Sequence, residues 1–198
     1  MNRSLGWGIA AALVFTVLVI LAVPAMLRAV NEDSPEPGTH PVPVESAVDR
    51  TSVLPDSAEG RPDCPGPAVA GVELDCLGHT AEAPAARPTI AVVWAWWCAP
   101  CREEMPLFDS FAKQHPEYTV VAVHADATTE AGVDKLNDWG IGLPSYADPH
   151  GIFAGTLGLP GVVPVTVVTD ADGAVRGTFP RTFTSVEEIR AAVDGALS

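Results

Sequence analysis

Basic residues are scarce. The 198-residue chain has 11 Lys and Arg against 25 Asp and Glu, a formal net charge of −14. A surface this acidic repels nucleic acid and anionic lipid headgroups, so nucleic acid is excluded as a partner. Beyond that exclusion the charge says only that the domain carries a solvated acidic surface. Other absences narrow the chemistry. No glycine-rich phosphate loop is present, which removes the usual nucleotide cradle. No cluster of four metal-ligating residues is present, so no structural metal and no cofactor are expected. No internal repeat argues for a solenoid. Cysteine is sparse as well, with 4 in the chain: Cys64, Cys76, Cys98 and Cys101.

The charge that is present is unevenly placed, with no acidic residue before Glu32. Leu5 to Leu27 carries no charge and is mostly Ala, Val, Leu and Ile. As a helix it would span roughly 34 Å at about 1.5 Å per residue, enough to cross a bilayer. The run is longer than the apolar core of a signal peptide, which favours an uncleaved single-pass anchor. Cleavage after Ala25, in Val23-Pro24-Ala25, is the alternative and would leave a secreted protein. Arg3 before the span and Arg28 after it signal orientation weakly, in favour of a cytoplasmic amino terminus. Either version exports the rest of the chain. Residues 31–62 are rich in Pro, Glu, Asp and Ser and cannot bury enough surface to fold, so they read as an extended tether. The expected organisation is an anchor or signal segment over 1–30, a tether over 31–62 and a folded domain over 63–198.

Within that domain, Val72, Leu74 and Cys76 alternate with Glu73 and Asp75, a half-buried strand pattern. Thr89 to Trp94 is a continuous apolar run, as expected of a central strand. Cys98 to about Gln114 reads as a helix, interrupted or kinked at Pro106. A second buried strand is expected over Tyr118–Ala125 and a helix over Thr129–Trp139, ending near Gly140. Ser145–Ala147 reads as a short strand, Ile152–Leu157 as a short helix and Val163–Thr169 as a β-branched strand. Asp170 to Gly173 is a turn leading to a hairpin partner over Ala174–Phe179. Ser185 to Leu197 closes the chain as an amphipathic helix, with Ser185 as N-cap and Glu187 and Glu188 in its first turn. Strands alternating with helices, followed by a hairpin, predict an α/β sheet with a mixed edge.

The chemistry lies in Trp96-Trp97-Cys98-Ala99-Pro100-Cys101, where a strand should turn into a helix. Unpaired N–H groups and the positive dipole end at a helix start favour the thiolate at Cys98. Cys101 lies one turn further in and shares the same helix face. Cys98 would attack a substrate disulfide, and Cys101 would resolve the mixed disulfide. A static disulfide and half of a zinc site are the bland alternatives, and the strand–CxxC–helix context argues against both. Cys64 and Cys76 enclose a short loop and read as a structural disulfide in an oxidising compartment. His79, His124 and His150 are scattered and read as structural or surface residues. Trp94 belongs to the core, while Trp97 beside Cys98 shapes the substrate surface.

Val93 to Pro106, with its Trp97-Cys98-Ala99-Pro100-Cys101 centre, resembles the active-site segment of membrane-anchored thioredoxin-like proteins of the TlpA/ResA type. Val162-Val163-Pro164-Val165-Thr166 resembles the later family segment that carries a cis-proline. The resemblance covers roughly residues 64–198 and implies a thioredoxin fold: a mixed central sheet flanked by helices, here with an N-terminal strand extension. It further implies that Pro164 is cis beside the Cys98 sulfur and that the Val163 backbone pairs with an extended substrate. Trp97, Pro100, Val163 and Pro164 are then the substrate-facing set. Glu104, three residues after Cys101, falls where the family has a glutamate near the cysteine pair, and a carboxylate there could take the Cys101 proton. A solvated helix-surface acid is the other reading of Glu104. The chain departs from thioredoxins proper at Val92, where they carry a buried Asp.

The expected function is an extracytoplasmic, membrane-tethered thiol–disulfide oxidoreductase that reduces disulfides of exported proteins. Its implied partners are such clients, with apocytochrome c among them, and a membrane-embedded thiol electron donor. The Ala99-Pro100 dipeptide lacks the histidine found between the cysteines of strongly oxidising relatives, which favours a reductant. The rivals are an oxidant of exported dithiols, a thiol peroxidase, and a copper metallochaperone using the same Cys pair.

Overall fold

The computed structural model describes residues 58–82 and 86–198. The Leu5–Leu27 span, the Ala25 cleavage alternative and nearly all of the tether lie outside the described residues. Among the described residues no helix is long and apolar enough to cross a membrane.

Among the described residues eight strands and four helices follow one another: β1 (Ala68–Val69), β2 (Val72–Glu73), β3 (Asp75–Cys76), β4 (Thr89–Trp94), α1 (Ala99–Gln114), β5 (Thr119–His124), α2 (Thr129–Asp138), β6 (Ser145–Ala147), α3 (Ile152–Leu157), β7 (Val165–Thr169), β8 (Val175–Phe179) and α4 (Val186–Leu197). β1 and β2 form a small antiparallel pair, and the other six strands form one sheet in the order β3-β6-β5-β4-β7-β8. β4 runs parallel to β5, and β5 parallel to β6, while β7 is antiparallel to β4 and β8 antiparallel to β7. This mixed sheet flanked by helices is a thioredoxin fold, and β1 to β3 are its N-terminal strand extension.

The apolar run of β4 is explained by its place. It lies between β5 and β7, and side chains alternate between two cores. Ile90, Val92 and Trp94 pack with Phe108, Phe111, Val133, Leu136 and Ile189 of α1, α2 and α4. Ala91 and Val93 pack on the opposite face with Val121, Val167, Tyr146 and Phe153.

Three local readings are adjusted. The Val72–Cys76 alternation is split by Leu74 into β2, which pairs with β1, and β3, which pairs with β6. The helix at Cys98 is not interrupted at Pro106 and runs on to Gln114. β7 begins at Val165 rather than Val163, since Pro164 has no N–H to give a ladder; the Val163–Pro164 peptide is cis. Packing also begins before residue 63. Ala58 is buried, and the Arg61 guanidinium donates to the carbonyls of Ile141 at 2.8 Å and Leu143 at 3.0 Å.

Candidate active site

β4 ends at Trp94, and the turn Ala95 to Cys98 closes with the Cys98 N–H donating to the Ala95 carbonyl at 3.0 Å. Cys98 is the N-cap of α1, in extended conformation (φ −80°, ψ 103°), and its Sγ accepts the Cys101 N–H at 3.2 Å. The sulfur thus does what a Ser or Asp oxygen does at an ordinary N-cap. Pro100 occupies the first turn, where its missing N–H costs no helical bond. No acidic side chain stands in that turn, so the positive end of the helix is left to the sulfur. Cys98 is 4% exposed and Cys101 0%. The two are disulfide-bonded, with Cα atoms 5.3 Å apart.

Two depressions flank Trp97, and one of them reaches Cys98. One, of about 250 Å³, is lined by Trp96, Trp97, Cys98, Arg102, Lys135 and Trp139. The other, of about 220 Å³, is lined by Trp97, Leu159, Pro160, Val162, Val163 and their apolar neighbours. Trp97, 58% exposed, is the wall common to both. Trp97 therefore adjoins Cys98 on one side and Val163 on the other. Pro164 is cis and buried, and Pro100 is exposed on the helix start.

Glu104 is not a surface acid. It is 0% exposed; Oε2 accepts the Phe183 N–H at 2.9 Å, and Oε1 has no hydrogen-bond partner. Burial pushes its carboxyl up to about 7, against the opposing effect of the Phe183 N–H. Val92 is fully buried on β4 and brings no ionisable group into the core there.

Other residues of the site carried no sequence motif. The Trp97 Nε1–H donates to Asp126 Oδ2 at 2.9 Å, and the Trp96 Nε1–H donates to Oδ1 at 3.2 Å. The sign that could have pointed to Asp126 is positional. It follows β5 at the carboxyl end of the sheet, where open α/β sheets present functional side chains. His124, at the end of β5, is fully buried; neither ring nitrogen has a hydrogen-bond partner, and the ring lies 4.9 Å from that of Trp94. Burial pushes its imidazole down to about 4, against the attraction of Asp126.

Cys64 and Cys76 are disulfide-bonded with Cα atoms 5.9 Å apart. Cys76 lies on β3 at the sheet edge, with β6 and β5 between it and β4. Its bridge therefore stands apart from Cys98.

This arrangement, a redox cysteine pair at a strand-to-helix turn, has counterparts. The AhpC/TSA family model matches residues 78–178, just over half of the chain and all of the site from β4 to the Val163–Pro164 turn. The chain belongs to the AhpC/TSA family. No curated protein matches it. Among solved structures it is similar to MTB DsbF in its mixed oxidized and reduced forms, at 25% identity over 62% of this chain and 92% of that one, with a TM-score of 0.54. It is also similar to a secreted thiol-disulfide isomerase of Corynebacterium glutamicum, at 26% identity over 64% and 86% of the two chains, TM-score 0.53. A secreted Mycobacterium tuberculosis disulfide oxidoreductase homologous to E. coli DsbE shares the fold at 20% identity, over 62% and 93%, TM-score 0.53. This AhpC/TSA member is a thioredoxin-like thiol–disulfide oxidoreductase.

Proposed function

We propose that the protein reduces disulfides of exported proteins through Cys98, from a membrane-tethered position outside the cytoplasm. The observation that carries this reading is the asymmetry of the cysteine pair. Cys98 caps a helix start beside Arg102, Lys135 and the exposed Trp97, while Cys101 is fully buried behind it. The Cys98 thiolate attacks one sulfur of the client disulfide, forming a mixed disulfide and expelling the first client thiolate. Cys101 loses its proton to the Glu104 carboxylate, and its thiolate then attacks Cys98 Sγ, expelling the second client sulfur. The client has gained two electrons, and the Cys98–Cys101 pair is left oxidised. A membrane-embedded dithiol donor returns the pair to the reduced state. A group poised at about 7 is suited to take a proton near neutral pH.

Trp97 and the half-buried Val163 face the client, the buried cis Pro164 follows Val163, and Pro100 lies exposed on the helix start. Cys64–Cys76 is a structural bridge. Leu5–Leu27 is the anchor and residues 31–57 the tether. The similar thiol-disulfide isomerase of Corynebacterium glutamicum is a secreted protein, which supports export. The TlpA/ResA resemblance adds apocytochrome c to the client class.

The test is insulin reduction with dithiothreitol as electron source. Cys98→Ser should abolish turnover, and Cys101→Ser should accumulate mixed disulfides. Unchanged turnover in Cys98→Ser would remove the assignment. The reverse reaction, oxidation of exported dithiols, uses the same atoms, and the isomerase likeness keeps it as the second reading. The reduction potential of the Cys98–Cys101 couple against glutathione decides between them. A copper-binding use of the pair would appear as bound metal on the purified reduced protein.

A further inference from the structure

We propose that Asp126 is a positioning residue that fixes the Trp97 indole, making the apolar groove on the far side of Trp97 selective for clients with a bulky apolar side chain next to the half-cystine. The inference rests on the oxidoreductase reading above. It begins with two exposed indoles. Trp96 is 37% and Trp97 58% exposed, so water could satisfy both N–H groups and both rings could change rotamer freely. Instead both N–H groups converge on one carboxylate roughly thirty positions away in the chain, one on each oxygen. Hydrogen bonds to a charged acceptor are the stronger kind.

The carboxylate is itself held. Asp126 Oδ1 also accepts the Thr128 N–H at 2.8 Å. Thr128 is the N-cap of α2 and makes no side-chain cap of its own, so Asp126 does the capping from two residues back. The clamp is therefore fastened to β5 on one side and to α2 on the other. The Thr128 and Trp97 N–H groups hold its carboxyl below the usual range, which keeps it charged.

The clamp sets the attitude of the ring that walls both depressions. The groove facing away from α1 is completed by Leu159, Pro160, Val162 and Val163, without a charged side chain. Trp97 lines the Cys98 depression and this groove alike, so a client whose sulfur reaches Cys98 has its next residue within reach of the indole. That side chain then enters a groove of about 220 Å³, room for an aliphatic or aromatic group and no partner for a charge.

The test uses the full chain with dithiothreitol as electron source and three oxidised substrates. Two are peptides differing only in Phe or Ser beside the half-cystine, and the third is glutathione disulfide. Wild type should prefer the Phe peptide. In Asp126→Ala that preference should fall about fivefold through KM rather than kcat, the scale of a moderate interface contact. Asp126→Asn keeps one acceptor and should fall between. In a Trp97→Ala background, Asp126→Ala should cause no further loss of preference, because its effect passes through the indole. Trp fluorescence anisotropy should decay faster in Asp126→Ala. An unchanged Phe-over-Ser preference overturns the proposal. So does an equal proportional loss on all three substrates, or full additivity with Trp97→Ala. Failure of wild type to reduce any of the three would instead remove the oxidoreductase reading.

Discussion

Glu104 shows how one residue changes character when its helix is packed. On an isolated helix it is a soluble carboxylate one turn after Cys101. In the fold it sits against the Phe183 backbone with one oxygen unpaired and its pKa raised to about 7. Glu104→Gln keeps the shape and removes the base. Release of the mixed disulfide should slow about a hundredfold near neutral pH, the lower end of the usual range for a lost general base. The first attack by Cys98 should change little. The deficit should shrink as pH rises towards the thiol range, where Cys101 ionises unaided. Stopped-flow traces across pH measure both steps, and equal resolving rates at every pH would leave Glu104 without a catalytic part.

At the scale of elements, α2 carries a conflict between local preference and packing. Gly132 lies in the helix interior, where Ala would be favoured by about 1 kcal/mol. A Cβ at Gly132 would come within 2.6 Å of the His124 ring, which is buried against Trp94. Overpacking of this kind costs about 1–3 kcal/mol, so the packing loss outweighs the helix gain. Gly132→Ala should lower the melting temperature by a few degrees, and a rise would show that the ring can yield. The extension β1 to β3 makes a second case. Its edge strand pairs with β6 over only Asp75 and Cys76, so the covalent bridge supplies what so short a ladder cannot. The Cys64→Ser/Cys76→Ser double variant should lose about 3 kcal/mol by the chain-entropy relation while keeping its turnover per folded molecule at low temperature. Full stability with lost turnover would make the pair redox-active.

For the whole molecule, two buried groups tilt the pH dependence of stability in opposite directions. His124 has its folded pKa lowered from 6.5 to about 4, so its contribution is present above 6.5 and lost as pH falls through about 4. Glu104 has its folded pKa raised from 4.5 to about 7, so its contribution is present below 4.5 and lost as pH rises through about 7. Thermal melts should separate them. Glu104→Gln should gain on wild type more at pH 8 than at pH 5, and His124→Phe more at pH 4.5 than at pH 7.5. Parallel pH profiles for wild type and both variants would mean that neither group titrates as its surroundings dictate.

The CxxC at a strand end, the two central apolar strands and the terminal amphipathic helix are legible in the sequence, because each rests on local periodicity or on residues adjacent in the chain. Ser145–Ala147 and Ile152–Leu157 are elements of the fold at the boundaries their patterns suggest. What the sequence alone leaves open depends on groups far apart along the chain. The start of β7, the split of Val72–Cys76 between two sheets and the anchoring of Arg61 follow from which neighbours pair. The burial of Glu104 required Phe183, and that of His124 required α2 to close over it. The Asp126 clamp required β5 to lie beside β4, so that a carboxylate after one strand meets two indoles after the other. Chain-local chemistry determined the reaction class. Tertiary packing decided which acid is buried with a raised pKa and how the indole beside Cys98 is held, since both depend on distances that no spacing in the sequence encodes.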